Sequence, residues 1–244
     1  RPAITTAGKF KIAIFRLFVN RAKIRPMSNS AHTATRKAFI ELAIQCQVLR
    51  FGEFELKSGR VSPYFFNAGG FSGGRALAEL GRCYANTLVA FELIPTVLFG
   101  PAYKGIPLVS ATAMSLSSHH GLDVPYSFNR KEQKTHGEGG LLVGAPLTGD
   151  VVIVDDVITA GTAIREAIAL IRDAGAHAHG VVIGLDRCER GSGPRSAVDE
   201  VSDDLGLKVA SVITMHDIIE WLESTQDLGQ YLEPMQRYRD RYGV

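Results

Sequence analysis

Two adjacent carboxylates, Asp155 and Asp156, stand at the end of an apolar run in VVIVDDVITAGTA, residues 151–163. The run has the composition of a buried strand, and the segment after it has that of a turn into a helix. In an open parallel sheet, ligands bind beyond the carboxyl ends of the strands. The two carboxylates are therefore predicted to face a ligand, and a solvated strand end is the plain structural alternative.

The TAGTA turn has the composition of a phosphate-binding loop. Ala160 and Gly161 allow close approach of the backbone, Thr159 and Thr162 offer hydroxyls, and the next helix presents its positive N-terminus. Carboxylates in direct contact with a phosphate would repel it, so they must hold another part of the ligand. Vicinal ribose hydroxyls, or a Mg²⁺ bound to the ligand, would suit them. A sugar with a diol and a 5′-phosphate fits both parts of the segment, with the diol at the carboxylates and the phosphate at the TAGTA turn.

A strand that ends in Asp also occurs in nucleoside triphosphatases, which need a GxxxxGK[ST] loop elsewhere in the chain. The nearest approach is GGFSGGRA from Gly69, which lacks both the Lys and the Ser or Thr. The sequence therefore disfavours that class.

Two further segments could bind an anionic ligand. GPAYKG, residues 100–105, is a tight turn after a strand, and an ordinary surface turn is its structural alternative. RKEQKTHGEGG, residues 130–140, carries four basic side chains and no aliphatic residue. Most charged runs of this kind are solvated loops, but a mobile cationic lid could close over a polyanionic ligand and then release it.

The elements that must position these segments follow from hydrophobic periodicity. Nearly continuous apolar strands alternate with amphipathic helices, which predicts a mainly parallel sheet with helices on both faces. Thr35 is the expected cap of the first helix. The predicted helices are 33–47, 74–91, 104–118, 163–174, 215–223 and 228–239, and the predicted strands are 62–69, 96–100, 124–129, 151–155, 179–186 and 208–214. Residues 27–244 are expected to form a single α/β domain.

The charge distribution sets residues 1–26 apart from the rest. Of the 27 basic residues, seven lie there without an acidic one, which leaves 20 basic and 25 acidic residues in the remainder. The basic pI is thus no argument for nucleic-acid binding by the body. We expect this basic leader to lie outside the fold, as translated upstream sequence or, less favoured, a targeting peptide.

Other site classes find little support in the sequence. The three cysteines are far apart, which argues against a disulfide framework and a thiolate zinc site, and fits a reducing compartment. No apolar run is long enough for a membrane span. His177 and His179 alternate in AGAHAHG with no acidic or cysteine partner nearby, so we expect a loop-to-strand transition rather than a metal site.

Several motifs carry a family resemblance. VVIVDDVITAGTA resembles the phosphoribosyl-pyrophosphate (PRPP) signature of type I phosphoribosyltransferases. KSGRVSPYFFNAG, LFGPAYKGIP, FNRKEQKTHGEGG and LDRCERG resemble, in this order, the orotate phosphoribosyltransferase family. The resemblance runs from about residue 35 to Val244.

The resemblance implies a type I phosphoribosyltransferase fold with a small hood over the sheet. It implies a cytoplasmic, Mg²⁺-dependent homodimer that transfers the phosphoribosyl group of PRPP to orotate in pyrimidine synthesis. The products would be orotidine 5′-monophosphate and pyrophosphate. No residue is expected to bind the metal directly, because PRPP itself would hold most of the Mg²⁺.

Residue roles follow from the same resemblance. Lys134, Asp156, Lys104 and His136 would be catalytic, and the lid residues Arg130, Lys134 and His136 would reach into the partner subunit's site. Orotate would contact Phe65, Phe66, Thr159 and Arg187, although from the sequence alone the two phenylalanines are more typical of a core. PRPP would contact Lys57, Tyr103, Lys104, Arg130, Lys131, Lys134, His136, Asp155, Asp156, Val157, Ile158, Thr159, Ala160, Gly161, Thr162 and Ala163.

Two alternatives remain open. A purine phosphoribosyltransferase would share the PRPP loop but not the Phe65, Phe66 and Arg187 regions. A PRPP-sensing regulator of the same fold would not be catalytic, and it could dispense with the lid cations that this chain retains.

Overall fold

The structure is a computed structural model that describes residues 27–56, 58–134, 140–159, 161–191 and 193–244, without the side chains of residues 133 and 134. Within these ranges, none of the helices is both long enough and apolar enough to cross a bilayer. The elements are, in chain order, α1 (Asn29–Gln45), β1 (Leu49–Glu55), β2 (Val61–Phe66), α2 (Gly74–Ala90), β3 (Val97–Gly100), α3 (Gly105–His120), β4 (Tyr126–Lys134), β5 (Gly140–Gly144), β6 (Asp150–Val157), α4 (Thr162–Asp173), β7 (His177–Asp186), α5 (Ala197–Leu205), β8 (Lys208–Thr214), α6 (Met215–Ser224) and α7 (Leu232–Tyr242).

A six-stranded sheet forms the centre of the molecule, with the order β5-β4-β3-β6-β7-β8. All neighbours are parallel except β4 and β5, which are antiparallel. The chain runs outward from β3 to β4 on one side and from β6 to β8 on the other. The order therefore reverses between β3 and β6, and a crevice opens beyond the carboxyl ends of these two strands.

Successive side chains of the central strands belong to two separate hydrophobic cores, one on each face of the sheet. Val152 and Val154 of β6 belong to the larger one, which includes residues of α1, α2, α3, α6 and α7. Val151 and Ile153 point to the other face and pack with α4 and with Val201 of α5. Because successive residues of a strand face opposite sides, helices on both faces explain why these strands are apolar throughout. The predicted mainly parallel, doubly covered sheet is confirmed.

A separate two-stranded antiparallel sheet, β1 and β2, forms the small hood with α7 packed against it. The prediction missed β1. Its residues Leu49 to Glu55 alternate only partly between buried and exposed positions, and the register shifts between Phe51 and Phe54. This interrupted alternation weakens the sequence signal of a strand.

Three further predictions need correction. Thr35 is not the cap of α1. Ser28 takes that place, because its side chain accepts a hydrogen bond from the N–H of Ala31, and Thr35 lies buried within the helix. Residues 130–134 are not a loop, because β4 continues to Lys134 and pairs with β5 at Gly140. Helix α5 was also missed, although its capping box of Ser196 and Asp199 is a recognisable start signal.

Candidate active site

The two carboxylates at the end of β6 are both buried, at 8% exposure for Asp155 and 6% for Asp156. The N–H of Asp156 donates to Oδ1 of Asp155 at 2.9 Å. Burial, reinforced by the neighbouring Asp156 carboxylate, raises the pKa of Asp155 to about 7. The pair therefore holds a carboxyl that changes protonation state near neutral pH beside a second carboxylate.

Asp156 forms an ion pair with the lysine of the turn after β3. The Nζ of Lys104 lies 2.6 Å from Oδ2 of Asp156, and the Lys104 side chain is half exposed. The two residues are 52 positions apart in the chain. The ends of the adjacent strands β3 and β6 bring them together. The structure thus joins two of the predicted catalytic residues.

The carboxylate pair is supported from behind by packed groups of the core. The hydroxyl of the buried Tyr84 donates to the backbone carbonyl of Asp155 at 2.8 Å. A Cβ at Gly184 of β7 would come within 2.8 Å of that hydroxyl and 3.2 Å of the Asp156 carbonyl. Glycine at this position therefore permits the close packing that fixes the end of β6.

The turn after β3 is held in a fixed shape by its glycines and by β4. A Cβ at Gly100 would lie 2.2 Å from the carbonyl oxygen of Gly105, so only glycine permits this approach. The N–H of Ala102 donates to Oδ1 of Asn129 at 2.9 Å. The peptide bond between Ala102 and Tyr103 is cis.

The turn also meets the base of the predicted lid. Tyr103 is 66% exposed, and the Nζ of Lys131 lies 5.0 Å from the centre of its ring. This contact links two predicted PRPP ligands on one surface.

The predicted phosphate loop leads directly into α4. Gly161 has φ of 71°, and a Cβ there would lie 2.8 Å from Val201 Cγ2, so both its conformation and its surroundings require glycine. The helix has no side-chain cap at its start. Its first N–H groups are thus not engaged by a capping side chain and are suited to bind an anion.

The other residues of this loop differ in exposure. Thr159, Thr162 and Ala163 are exposed, Val157 is half-buried, and Ile158 is buried in the core beneath α4. Ala160 lies outside the described residues.

The predicted lid is described only in part. Arg130 is half-buried, and its Nη1 lies 3.5 Å from the Gly140 carbonyl oxygen, while Lys131 is exposed. The backbone of Lys134 pairs with Gly140. The Lys134 side chain, His136 and Lys57 lie outside the described part of the chain, so their predicted roles stay predictions.

Arg187, the predicted orotate ligand, is already engaged by a carboxylate of its own chain. Its Nε donates to Oε1 of Glu189 at 2.8 Å, and its Nη2 lies 2.6 Å from the same oxygen. Nη2 also lies 3.3 Å from Oγ of Ser62, and the guanidinium carbon lies 4.4 Å from the ring centre of Tyr64. These contacts fix the plane of the guanidinium at the junction of β7 and the hood.

The two phenylalanines of the hood have different surroundings. Phe66 is half-buried and stacks on the buried Phe39, with 6.3 Å between ring centroids. Phe65 contacts Phe54 at 5.4 Å, and the guanidinium of Arg50 lies 5.2 Å from its ring centre.

Strand alternation separates the two phenylalanines further. Phe66 shares a face of β2 with Ser62 and Tyr64, the residues that contact Arg187, and Phe65 points to the opposite face. Of these two phenylalanines, Phe66 is the one on the side of Arg187.

Three supporting residues were not recognised from the sequence. Glu189 holds Arg187, Asn129 holds the turn after β3, and Tyr84 holds the end of β6. Glu189 and Asn129 carried a usable signal, because Asn129 ends the predicted strand 124–129 and Glu189 follows the end of β7, and polar residues at such positions often face a ligand. Tyr84 carried none, since it resembles any other apolar position of α2.

Comparisons with known proteins identify the family of this chain. Residues 74–217 match the family described as the phosphoribosyl transferase domain. The chain is 57% identical over 212 residues to the orotate phosphoribosyltransferase of Pseudomonas fluorescens, an alignment that covers 86% of this chain and 99% of that protein. The chain belongs to the orotate phosphoribosyltransferase family.

Other relatives support the assignment to the orotate phosphoribosyltransferase family. The protein of this name from Edwardsiella ictaluri is 57% identical over 211 residues, with coverage of 86% of this chain and 99% of that one. A crystal structure of orotate phosphoribosyltransferase from Francisella tularensis has a TM-score of 0.76 and 42% identity, and covers 84% of this chain and 99% of its own. The structure of UMP synthase from Leishmania donovani is 23% identical, with a TM-score of 0.66, and the match covers 89% of this chain and 42% of that one. At this identity it shows the shared fold alone. The type I phosphoribosyltransferase fold and the family resemblance are confirmed.

Proposed function

We propose that the chain transfers the 5-phosphoribosyl group of PRPP to orotate, giving orotidine 5′-monophosphate and pyrophosphate. The observation that carries the proposal is the ion pair between Lys104 and Asp156 at the crevice between β3 and β6, in front of the uncapped start of α4. This crevice can hold a ligand with a phosphate, a diol and a polyanionic leaving group. Membership of the orotate phosphoribosyltransferase family supports orotate as the acceptor.

The binding of PRPP would exchange the partners of Lys104 and Asp156. The start of α4 and the loop before it would take the 5-phosphate, and the two carboxylates would face the ribose hydroxyls. Lys104 would then turn from Asp156 to the pyrophosphate oxygens, where its charge offsets the charge that develops on the leaving group. Because Lys104 is half exposed, such a rotation needs no change in the core.

The reaction would break the bond between ribose C1 and the pyrophosphate oxygen and form a bond from C1 to orotate N1. The N1–H bond of orotate would also break, and its proton would leave with the pyrophosphate or to water. The transition state resembles an oxocarbenium ion, so a negative charge near the ribose stabilises it. Asp156 is suited to supply this charge, since it lies buried at the end of β6.

Mg²⁺ fits this crevice as a cofactor that PRPP brings with it. Oδ2 of Asp156 is occupied by the Lys104 ammonium at 2.6 Å. The protein by itself is therefore poorly arranged to bind the ion. The pyrophosphate and ribose oxygens would hold it, with Asp155 and Asp156 nearby, and it would offset the charge of the leaving group.

Orotate would lie between the hood and the end of β7, with its carboxylate on the fixed guanidinium of Arg187. The pair of Arg187 and Glu189 shows that this guanidinium already accommodates a carboxylate. A charge-assisted contact of this kind would separate orotate from uracil, which has no carboxylate. Phe66, on the same side of the hood, is the better placed of the two phenylalanines to contact the base.

The acceptor is tested by the loss of orotate absorbance on addition of PRPP and Mg²⁺. Adenine, hypoxanthine and uracil serve as control acceptors. Consumption of orotate and of none of the control acceptors supports the proposal, whereas consumption of a purine would favour the purine phosphoribosyltransferase alternative. Binding of PRPP without turnover of any base would favour the regulator.

The proposal includes a homodimer in which the lid completes the partner's site. Mixing Lys134→Ala and Asp156→Asn proteins under subunit exchange should then restore activity, up to half of normal per heterodimer, because one site carries neither change. Heterodimer formation verified by mass, without recovered activity, would place the lid in its own chain. A cytoplasmic location stays a prediction from the family resemblance and agrees with the three free cysteines.

A further inference from the structure

Two histidines and an aspartate meet at the amino ends of β6 and β7, away from the active site. The candidate ligand atoms of Asp150, His177 and His179 all lie within 4.8 Å of one another. Asp150 and Asp156 are six residues apart on one strand, so this cluster lies about 20 Å from the catalytic carboxylates. The expectation that the two histidines have no acidic partner was therefore wrong.

The strand register produces this cluster. Asp150 is the direct partner of His177 in the parallel pair of β6 and β7. His177 and His179 are two residues apart on β7, and the register of the β6–β7 pair shifts at His179, between the partners of Val151 and Val152, with the candidate ligand atoms still within 4.8 Å of one another. Their rings lie 6.1 Å apart between centroids, and Nδ1 of His177 is 3.2 Å from Oδ1 of Asp150.

We propose that Asp150, His177 and His179 form a binding site for a late first-row divalent cation, of which Zn²⁺ is the model ion. Two imidazoles and one carboxylate match the ligands that zinc takes in proteins, with water in the fourth position. The imidazole nitrogens disfavour Mg²⁺ and Ca²⁺, which select oxygen ligands. The site would thus discriminate against the Mg²⁺ that accompanies PRPP.

The geometry needs only small side-chain adjustments to close on an ion. Bonds of about 2.0–2.1 Å in a tetrahedron place ligand atoms roughly 3.3 Å apart. The contact of Asp150 with His177 already has this length, and the remaining separations are at most 4.8 Å. The His177 side chain is 71% exposed and that of Asp150 is 37% exposed, so both can rotate and the ion can enter from solvent.

The bound ion would join the amino ends of two core strands. Because a ligand that binds only the folded state stabilises it, the melting temperature should rise with Zn²⁺ concentration. The effect on catalysis should be small, since none of the three residues belongs to the predicted PRPP or orotate site. Zinc binding would therefore act on stability without changing kcat.

The test is calorimetric titration of Zn²⁺ into protein without an affinity tag. The matched pair of variants is His177→Gln/His179→Gln and His119→Gln/His120→Gln, which remove the same number of histidines; the second pair lies at the end of α3. We expect one equivalent of Zn²⁺ to bind the parent protein and the second variant. The first variant and Asp150→Asn should bind at least about ten-fold more weakly, since even outer-shell changes cost 10–100-fold.

A spectroscopic measurement identifies the ligands. Cu²⁺ bound to the parent protein should show hyperfine coupling to two imidazole nitrogens, and to one in the His179→Gln protein. Circular dichroism without metal confirms that each variant is folded. Absence of saturable Zn²⁺ binding, or undiminished binding by His177→Gln/His179→Gln, would overturn the proposal and leave an ordinary surface ion pair.

Discussion

The proposed PRPP side and the proposed acceptor side of the candidate site are built in different ways. The PRPP side is made of strand ends and glycine-dependent turns, with Asp156 and Lys104 paired across the crevice. The acceptor side is made of side chains that already have partners, such as Arg187 on Glu189 and Phe66 on Phe39. Backbone geometry thus specifies the proposed PRPP side, and networks of side chains specify the proposed acceptor side.

Changes on the two sides should therefore have different kinetic signatures. A lost PRPP-side carboxylate should affect the transition state, whereas a lost acceptor-side contact should affect mainly the KM of orotate.

Asp156→Asn should have the largest effect. The amide keeps the shape of the side chain but loses the negative charge proposed to face the ribose, so kcat/KM for PRPP should fall roughly 10²–10³-fold. Asp150→Asn, the same change at the other end of β6, is the matched control and should retain activity. Steady-state kinetics of both folded proteins measures the difference, and unchanged PRPP kinetics of Asp156→Asn would remove this residue from the site.

Asp155→Asn should change the pH dependence of stability. The folded-state pKa of Asp155 is raised from 3.8 to about 7, so the folded protein binds more protons than the unfolded chain between these values. The free energy of unfolding should therefore fall as pH rises through this window. Between pH 5 and 8 the parent should lose about 2–3 kcal/mol that the variant does not lose.

Urea unfolding at the two pH values measures the loss of stability. Burial also raises the pKa of Asp186, but this contribution is common to both proteins and cancels in the comparison. Parallel pH profiles of the parent and Asp155→Asn would contradict the assignment of a near-neutral carboxyl at this position.

Arg187→Ala should raise the KM of orotate about ten- to a hundred-fold. The basis is the loss of a charge-assisted contact to the orotate carboxylate, worth about 1.5–3 kcal/mol. The KM of PRPP should change little, which is the opposite of the Asp156→Asn pattern. Arg190→Ala removes an exposed arginine three residues along the same segment and serves as the control. Equal effects on both substrates would place Arg187 outside the orotate pocket.

Glu189→Gln should have the smallest effect of the four changes, and it tests whether Glu189 positions Arg187 on the acceptor side. Glu189 holds two nitrogens of Arg187 through one oxygen, so it acts as a positioning residue for the guanidinium. A glutamine can still accept a hydrogen bond but lacks the charge, and the KM of orotate should rise roughly three- to ten-fold with kcat nearly unchanged. A fall in the KM of orotate would show instead that Glu189 competes with the substrate.

The same contrast explains what the sequence could predict. Asp155, Asp156 and the turn after them stand in one continuous segment, so local composition and strand periodicity placed them correctly at the end of β6. The pair of Lys104 and Asp156 joins residues 52 positions apart, and only the strand order reveals it. The contact of Asp150 with His177 depends in the same way on the register of β6 and β7.

Local signals failed where tertiary contacts override them. Thr35 has the composition of a cap, yet its hydroxyl donates to the Ala31 carbonyl and accepts from Nδ2 of Asn86 inside the packed helices. Residues 130–134 have the composition of a solvated loop, but the antiparallel partner β5 holds them in a strand. Phe65 and Phe66 are adjacent in sequence, and strand alternation still sends them to opposite faces.

The central claim is that the crevice between β3 and β6 transfers a phosphoribosyl group to orotate. The most direct measurement is mass-spectrometric quantification of the products formed from PRPP, orotate and Mg²⁺ by the parent and Asp156→Asn proteins side by side. We expect orotidine 5′-monophosphate and pyrophosphate in equal amounts from the parent, and strongly reduced amounts of both from the variant. Ribose 5-phosphate in place of the nucleotide, or equal product from both proteins, would contradict phosphoribosyl transfer at this crevice.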